Sequence, residues 1–205
     1  MGQQSPGQEL SRFKQNRRSE IAQAARRVLE RDGYAHLSAR KVAAEAGLSL
    51  GHITYNFAGM DDVLSEAYRL ISERLRNASD RCLQQVDDQP VRKFEAFLRA
   101  GFDDEFLDFR HLRVRIDLWS AACNSEKLAE TERALYDHYR QMLESLMRPL
   151  ADNDPAKIAA IPALLDTIMA TQDGLWLDWV RHRNHDAVEN GLQMTMKLVR
   201  TVLLG

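Results

Sequence analysis

Between Ser38 and Leu64 the chain carries side chains suited to a charged, hydrogen-bonding polymer: Ser38, Ala39 and Arg40, then Ser49, Leu50, Gly51, His52, Thr54, Tyr55 and Asn56. Hydroxyl, amide and guanidinium groups bond phosphate oxygens and fix register, while base edges in a groove are read by a few well-placed side chains. Gly51 would let the backbone approach those edges. His52, with Leu50 and Thr54, is expected to read the major groove, and Ser38, Arg40, Tyr55 and Asn56 to bond phosphates. Arg17, Arg18, Lys41 and the basic N-terminal arm would add cations. Catalytic chemistry finds no comparable foothold. None of the six histidines pairs with Glu or Cys at a metal-ligand spacing, Ser49 lies in no nucleophile elbow, and there is no glycine-rich phosphate loop. His182 and His185, beside Arg181 and Arg183, read as a solvated basic turn. No metal, cofactor or enzymatic residue is expected.

The elements that must position these groups are two short helices. Ser38 can supply an N-cap oxygen for ARKVAAEA, in which Val42, Ala43 and Ala46 offer a narrow face to a second helix. Gly47 stands where that helix must stop, Leu48 plugs the corner, and Ser49 can cap LGHITYNF. Two short helices meeting at a tight glycine turn form the frame that places a recognition helix in the major groove. Charge agrees: residues 1–58 carry a net +4 and the remainder a net −6, within a total of −2. A basic head on an acidic body suits a protein that touches phosphate at one end.

At these residues the chain resembles the TetR family of bacterial transcription regulators. The likeness covers roughly residues 17–65 and rests on the Ile21, Ala25 and Val28 stripe, Gly33 and Tyr34, the AGLS turn, Gly51, Phe57 and Leu64. It implies an all-α chain. A three-helix DNA-binding head (1–58) would be joined by a long fourth helix to a larger ligand-binding and dimerising body (59–205). It also implies repression relieved by a small molecule, with a palindromic or pseudo-palindromic double-stranded operator as partner. Met60 stands where many members carry a lysine. The body is similar to the choline-sensing regulators of betaine synthesis through FDDEF, DLWSA and DGLWL.

The body itself reads as helices throughout. A fourth helix is expected from Asp61 to about Val86, where its opening would act as a lever on the head, followed by helices near 91–102, 109–123 and 126–150. An eighth begins at Asp154 and Pro155 and runs to about His182, and a ninth spans 186–203. The first would begin near Arg17, after a disordered arm. The last two are apolar on more than one side, as helices of a two-fold dimer interface would be. Aromatics crowd the body beside acids. Phe102, Trp119, Tyr139 and Trp176, with Asp117 or Asp173 as counter-charge, could cage a cationic amine or quaternary ammonium effector. Asp173 and Gly174 would interrupt an apolar helix. Cys82 and Cys123 are read as reduced thiols, and the absence of a signal-type or spanning apolar segment as a cytoplasmic, non-membrane chain. The competing reading is a helical adaptor whose head binds protein instead of DNA.

Overall fold

The computed structural model describes the backbone of residues 6–205, with side chains from Arg12 onward. Residues 1–5, the beginning of the expected arm, lie outside the described residues. The order is α1 (Pro6–Asp32), α2 (Ala39–Ala46), α3 (Leu50–Asn56), α4 (Met60–Gln85), α5 (Pro90–Ala100), α6 (Phe109–Ala122), α7 (Glu126–Met147), α8 (Pro155–His182) and α9 (His185–Leu203). Short 3-10 turns cover Tyr34–His36 and Arg148–Ala151, and no strand occurs among the described residues. No helix among them is long and apolar enough to cross a membrane.

α1 departs from expectation by starting at Pro6, well before Arg17. Proline is favoured at a first helical position, and the following Gln, Glu, Leu, Lys and Arg residues are good helix formers, so a polar stretch without an apolar stripe still coils. Local chemistry elsewhere acts as read. Ser38 Oγ accepts from the Lys41 N–H at 3.3 Å and opens α2. Gly47, at φ 67°, closes it: its N–H reaches Ala44 O at 3.2 Å while the Leu48 N–H reaches Ala43 O at 2.9 Å. That is a Schellman closure, which needs the left-handed conformation glycine adopts without strain. Asp154 Oδ1 caps α8 through the N–H groups of Ala156 and Lys157, with Pro155 at the first position. Asp173 and Gly174 do not break α8, which runs on to His182; a Cβ at Gly174 would meet open space.

The chain divides into two compact units. One comprises residues up to Ser72 together with Arg113–Glu132; the other comprises Glu73–Leu112 together with Arg133–Gly205. In the first, α1 packs on α2 and α3, burying Ile21, Ala25, Val28 and Leu29 with Val42, Ala43, Ile53 and Phe57. In the second, α8 packs on α9, and α5 also packs on α9. Gly191 lets α8 and α9 approach, since a Cβ there would lie 2.5 Å from Leu175 Cδ2. Arg99 forks onto Glu189 at 2.7 and 2.9 Å, tying α5 to α9. This second unit leaves apolar side chains outside: Leu177, Leu198, Leu204 and Met194, the last 62% exposed. On α6 the inward face is set by aliphatic residues. Leu112, Val114 and Leu118 are buried, Ile116 and Trp119 are half-buried, and Cys123 is exposed.

Candidate nucleic-acid interface and effector site

α3 turns one face into the head and one face out. Ile53 and the following Phe57 are buried, whereas Leu50, Gly51, His52, Thr54 and Tyr55 are exposed, Tyr55 by 80%. Ser49 takes a role other than the expected cap: its hydroxyl bonds His52 Nδ1 at 2.9 Å and makes no backbone cap. The ring is thereby oriented, with Nδ1 engaged and the Nε2 edge left for another partner. Thr54 Oγ1 donates to Gly51 O at 3.2 Å. A Cβ at Gly51 would touch only Ser49 Oγ, at 3.7 Å, so no packing in the protein requires glycine there. A glycine inside a helix costs about 1 kcal/mol relative to alanine. No contact within the described residues offsets that cost.

The flanking residues separate into outward and inward groups. Ser38 and Arg40 are exposed beside α3, Ala39 is half-buried, and Arg40 has no ion pair among the described residues. Arg17 pairs with Glu20 at 2.7 Å. Lys41 bridges to Asp32, whose pKa falls to about 2 because Arg31 and then Lys41 hydrogen-bond its carboxylate. Asn56, expected to reach phosphate, is turned inward at 6% exposure, where its Nδ2 donates to His52 O at 2.8 Å. Arg18 is likewise internal. It donates to Asn56 O at 2.5 Å, lies 4.1 Å over the Phe57 ring and reaches Asp62 at 3.4 Å.

Asp62, in the first turn of α4, gathers several donors. Lys127 reaches it at 2.7 Å and the Ala58 N–H at 3.3 Å, in addition to Arg18. Burial works to raise its pKa, but the bonds from Lys127, Ala58 and Arg18 outweigh that and hold it below the ordinary range. Asp61 accepts from Ser125 at 2.7 Å. A second tie comes from α6: Arg113 donates to Leu29 O and Glu30 O at 3.3 and 3.1 Å, and Asp117 Oδ2 accepts from the Tyr34 N–H at 3.2 Å. The sequence pointed to Asp117 but not to this use, nor to Arg113 or Lys127.

Of the residues expected to hold an effector, Phe102, Tyr139, Asp173 and Trp176 share the second unit, whereas Asp117 and Trp119 belong to the first. Trp119 has the Arg115 guanidinium 5.4 Å over its ring. Phe102 stacks on Trp176 with centroids 5.3 Å apart, and Trp176 Nε1 donates to Gly101 O at 2.8 Å. Tyr139 stacks on Phe97 at 5.1 Å, and its hydroxyl accepts from Gln172 Nε2 at 3.0 Å. Asp173 is half-buried on α8, next to Gln172. Gln172 itself went unremarked in the sequence, although a polar side chain one turn before a tryptophan in an apolar helix is a usable signal.

Comparison with known proteins bears on both ends. Residues 90–204 match the family described as BetI-type transcriptional repressor, C-terminal, and residues 21–67 match the bacterial regulatory proteins of the TetR family. An HTH-type transcriptional regulator BetI of Stenotrophomonas maltophilia (strain R551-3) is 28% identical over 161 residues, 78% of this chain and 80% of that protein. A transcriptional regulator from Pseudomonas aeruginosa PAO1 superposes with a TM-score of 0.77 at 27% identity, covering 93% of this chain and 92% of that one. A regulator from Saccharomonospora viridis, solved in complex with choline, has a TM-score of 0.70 at 20% identity, over 89% and 95% of the two chains.

The Asp62 cluster yields an acid-titration test. Because its folded-state pKa lies below the ordinary 3.8, the stability it provides is present above that value and lost as pH falls through the folded pKa. Asp62→Asn should lower stability at neutral pH by about 2 kcal/mol in urea unfolding. The gap to wild type should narrow as pH drops below about 4. A gap unchanged across that range would remove the carboxylate from this role.

Proposed function

Because the chain belongs to the TetR family of bacterial transcriptional regulators, with a BetI-type repressor C-terminal domain, we propose that α3 is its operator-reading helix and that an effector held in the body releases it. The observation that carries this is the outward face of α3, where His52 is oriented by Ser49 and Gly51 has no packing reason to be glycine. His52, Leu50 and Thr54 read base edges. Ser38, Arg40 and Tyr55 bond phosphate, with Arg17 and the N-terminal stretch of α1 supplying further positive charge. Residues 1–58 are the DNA-binding portion, and 59–205 bind the effector and dimerise.

The effector site lies around Phe102, Tyr139 and Trp176, with Asp173 as counter-charge. Stacked aromatic rings beside a carboxylate suit an amine or quaternary ammonium ion, and choline is the ligand in the Saccharomonospora viridis regulator. Asp117 transmits: it bonds the Tyr34 N–H while Arg113, one turn earlier on α6, bonds the end of α1. α4, α6 and α7 each contribute residues to both compact units, so a shift in these helices reaches the head.

The working unit is a two-fold dimer through α8 and α9, whose exposed Leu177, Met194 and Leu198 would be covered by a second copy. Two heads are needed, since one short helix contacts too few base pairs for genomic specificity.

Three measurements test these readings. Gel shifts with the chain's own upstream DNA at low salt should show binding. Arg40→Ala should weaken all sequences alike and reduce the salt slope by about one, while His52→Ala should change sequence preference at a cost of about 1–3 kcal/mol. No retardation of any fragment at low salt would sink the assignment of α3. Light scattering at micromolar concentration should return about twice the 23.5 kDa chain mass; a monomer that still binds operator would contradict the dimer. Tryptophan fluorescence titrated with choline, betaine aldehyde and polyamines should respond through Trp176, so Trp176→Phe abolishes the change and Trp119→Phe keeps it. Silence toward all of these, with quenching by a neutral or acidic metabolite, would reject a cationic effector.

A further inference from the structure

α8 carries one fully buried polar side chain among its apolar residues. Gln172 is 2% exposed. Its Nε2 donates to Tyr139 Oη at 3.0 Å and points to the Leu98 carbonyl at 3.4 Å. A carbonyl can only accept, so the N–H end must face Leu98, and the other end of the amide is thereby assigned. That end, Oε1, is buried without a hydrogen-bond partner. Buried acceptors are nearly always paired, and leaving one unmade is costly where leucine or methionine would fill the same space. Trp176 lies one turn along the same helix face, stacked on Phe102, and Tyr139 is stacked on Phe97. The unmet acceptor thus sits in the aromatic cluster assigned above to the effector.

Resting on that assignment, we propose that Gln172 Oε1 accepts a hydrogen bond from the bound effector. The site then selects amine or quaternary ammonium ligands that also carry an O–H or N–H donor. Ligands of equal shape and charge without a donor leave the acceptor unpaired and bind less well, the kind of difference on which sites built for a hydroxyl discriminate most strongly. Ligands that present only a carboxylate place acceptor against acceptor and are disfavoured.

The test compares choline with ethyltrimethylammonium, which keeps its shape and charge but lacks the hydroxyl, by calorimetric titration of the full-length protein. Wild type should bind choline about tenfold more tightly, which corresponds to about 1.4 kcal/mol. Gln172→Met should bring the ratio close to one, chiefly by weakening choline. Choline O-methyl ether, which keeps the oxygen but cannot donate, should bind wild type no better than ethyltrimethylammonium; it decides the matter if the methionine variant does not fold. A wild-type ratio near one, as a resident water on Oε1 would give, overturns the inference while leaving the cationic effector standing. So does a tenfold ratio that survives Gln172→Met, or a methyl ether that binds as tightly as choline. Binding of neither compound rejects the cationic effector, and the inference falls with it.

Discussion

One carboxylate, that of Asp62, holds α3 in its place. The side chain is only 16% exposed, yet it is surrounded by Arg18 from α1, Lys127 from α7 and the Ala58 N–H. Negative charge in a helix's first turn is favourable in its own right, and three donors more than offset the partial loss of water. Arg18 extends the arrangement: it stacks on Phe57 and donates to the Asn56 carbonyl, so the last turn of α3 is fixed against the first turn of α4. The outward face of α3 inherits its direction from this cluster. Asn56 completes the set, folded back onto His52 O where it keeps α3 closed to its end.

A second tie meets the far end of α1. The last carbonyls of a helix lack intrahelical partners, and a cation there satisfies them and opposes the macrodipole. Arg113 does this for Glu30 and adds a second donor to the Leu29 carbonyl, which already takes the Gly33 N–H at 2.9 Å, while Asp117, four residues later on the same face of α6, takes the Tyr34 N–H. One helix thus presents an opposite charge to each of two kinds of backbone group. Sliding or rotating α6 by a fraction of a turn would break both pairings together.

How much of this could be read from residues alone follows the range of the interaction. The α2 cap at Ser38, the stop at Gly47 and the Asp154–Pro155 start of α8 involve partners within a few residues, and the structure has them as read. The all-helical build and the apolar excess of α8 and α9 were legible for the same reason, since periodicity is local. Arg18 and Asn56 looked like phosphate ligands because their type suits phosphate. Their partners, Asp62 and the backbone at His52 and Asn56, are chosen by packing that no spacing reveals. Ser49 is the instructive intermediate: the right residue in the right place, but with its hydroxyl drawn to an imidazole instead of to a backbone N–H. Arg113 gave no local signal, and Gln172 gave only its polarity within an apolar helix, because each acts across more than 70 residues of chain.

The size of these ties limits how an effector could work. Moving a two-state equilibrium from about 1:99 to 99:1 needs roughly a 10⁴-fold difference in affinity, about 5.5 kcal/mol. Exposed ion pairs such as Arg148–Glu144 or Arg92–Asp87 are worth at most about 1 kcal/mol each and are screened by salt. Rearranging them would not suffice. The Asp62 cluster and the contacts of Arg113 and Asp117 are several-membered and partly shielded, so each is worth more than an exposed pair, and only their joint rearrangement would approach the required difference. Both depend on α4, α6 and α7, the three helices that also supply residues to the second compact unit. An effector that favoured one setting of these helices would act on these ties directly and would need no continuous chain of weak contacts to reach α3.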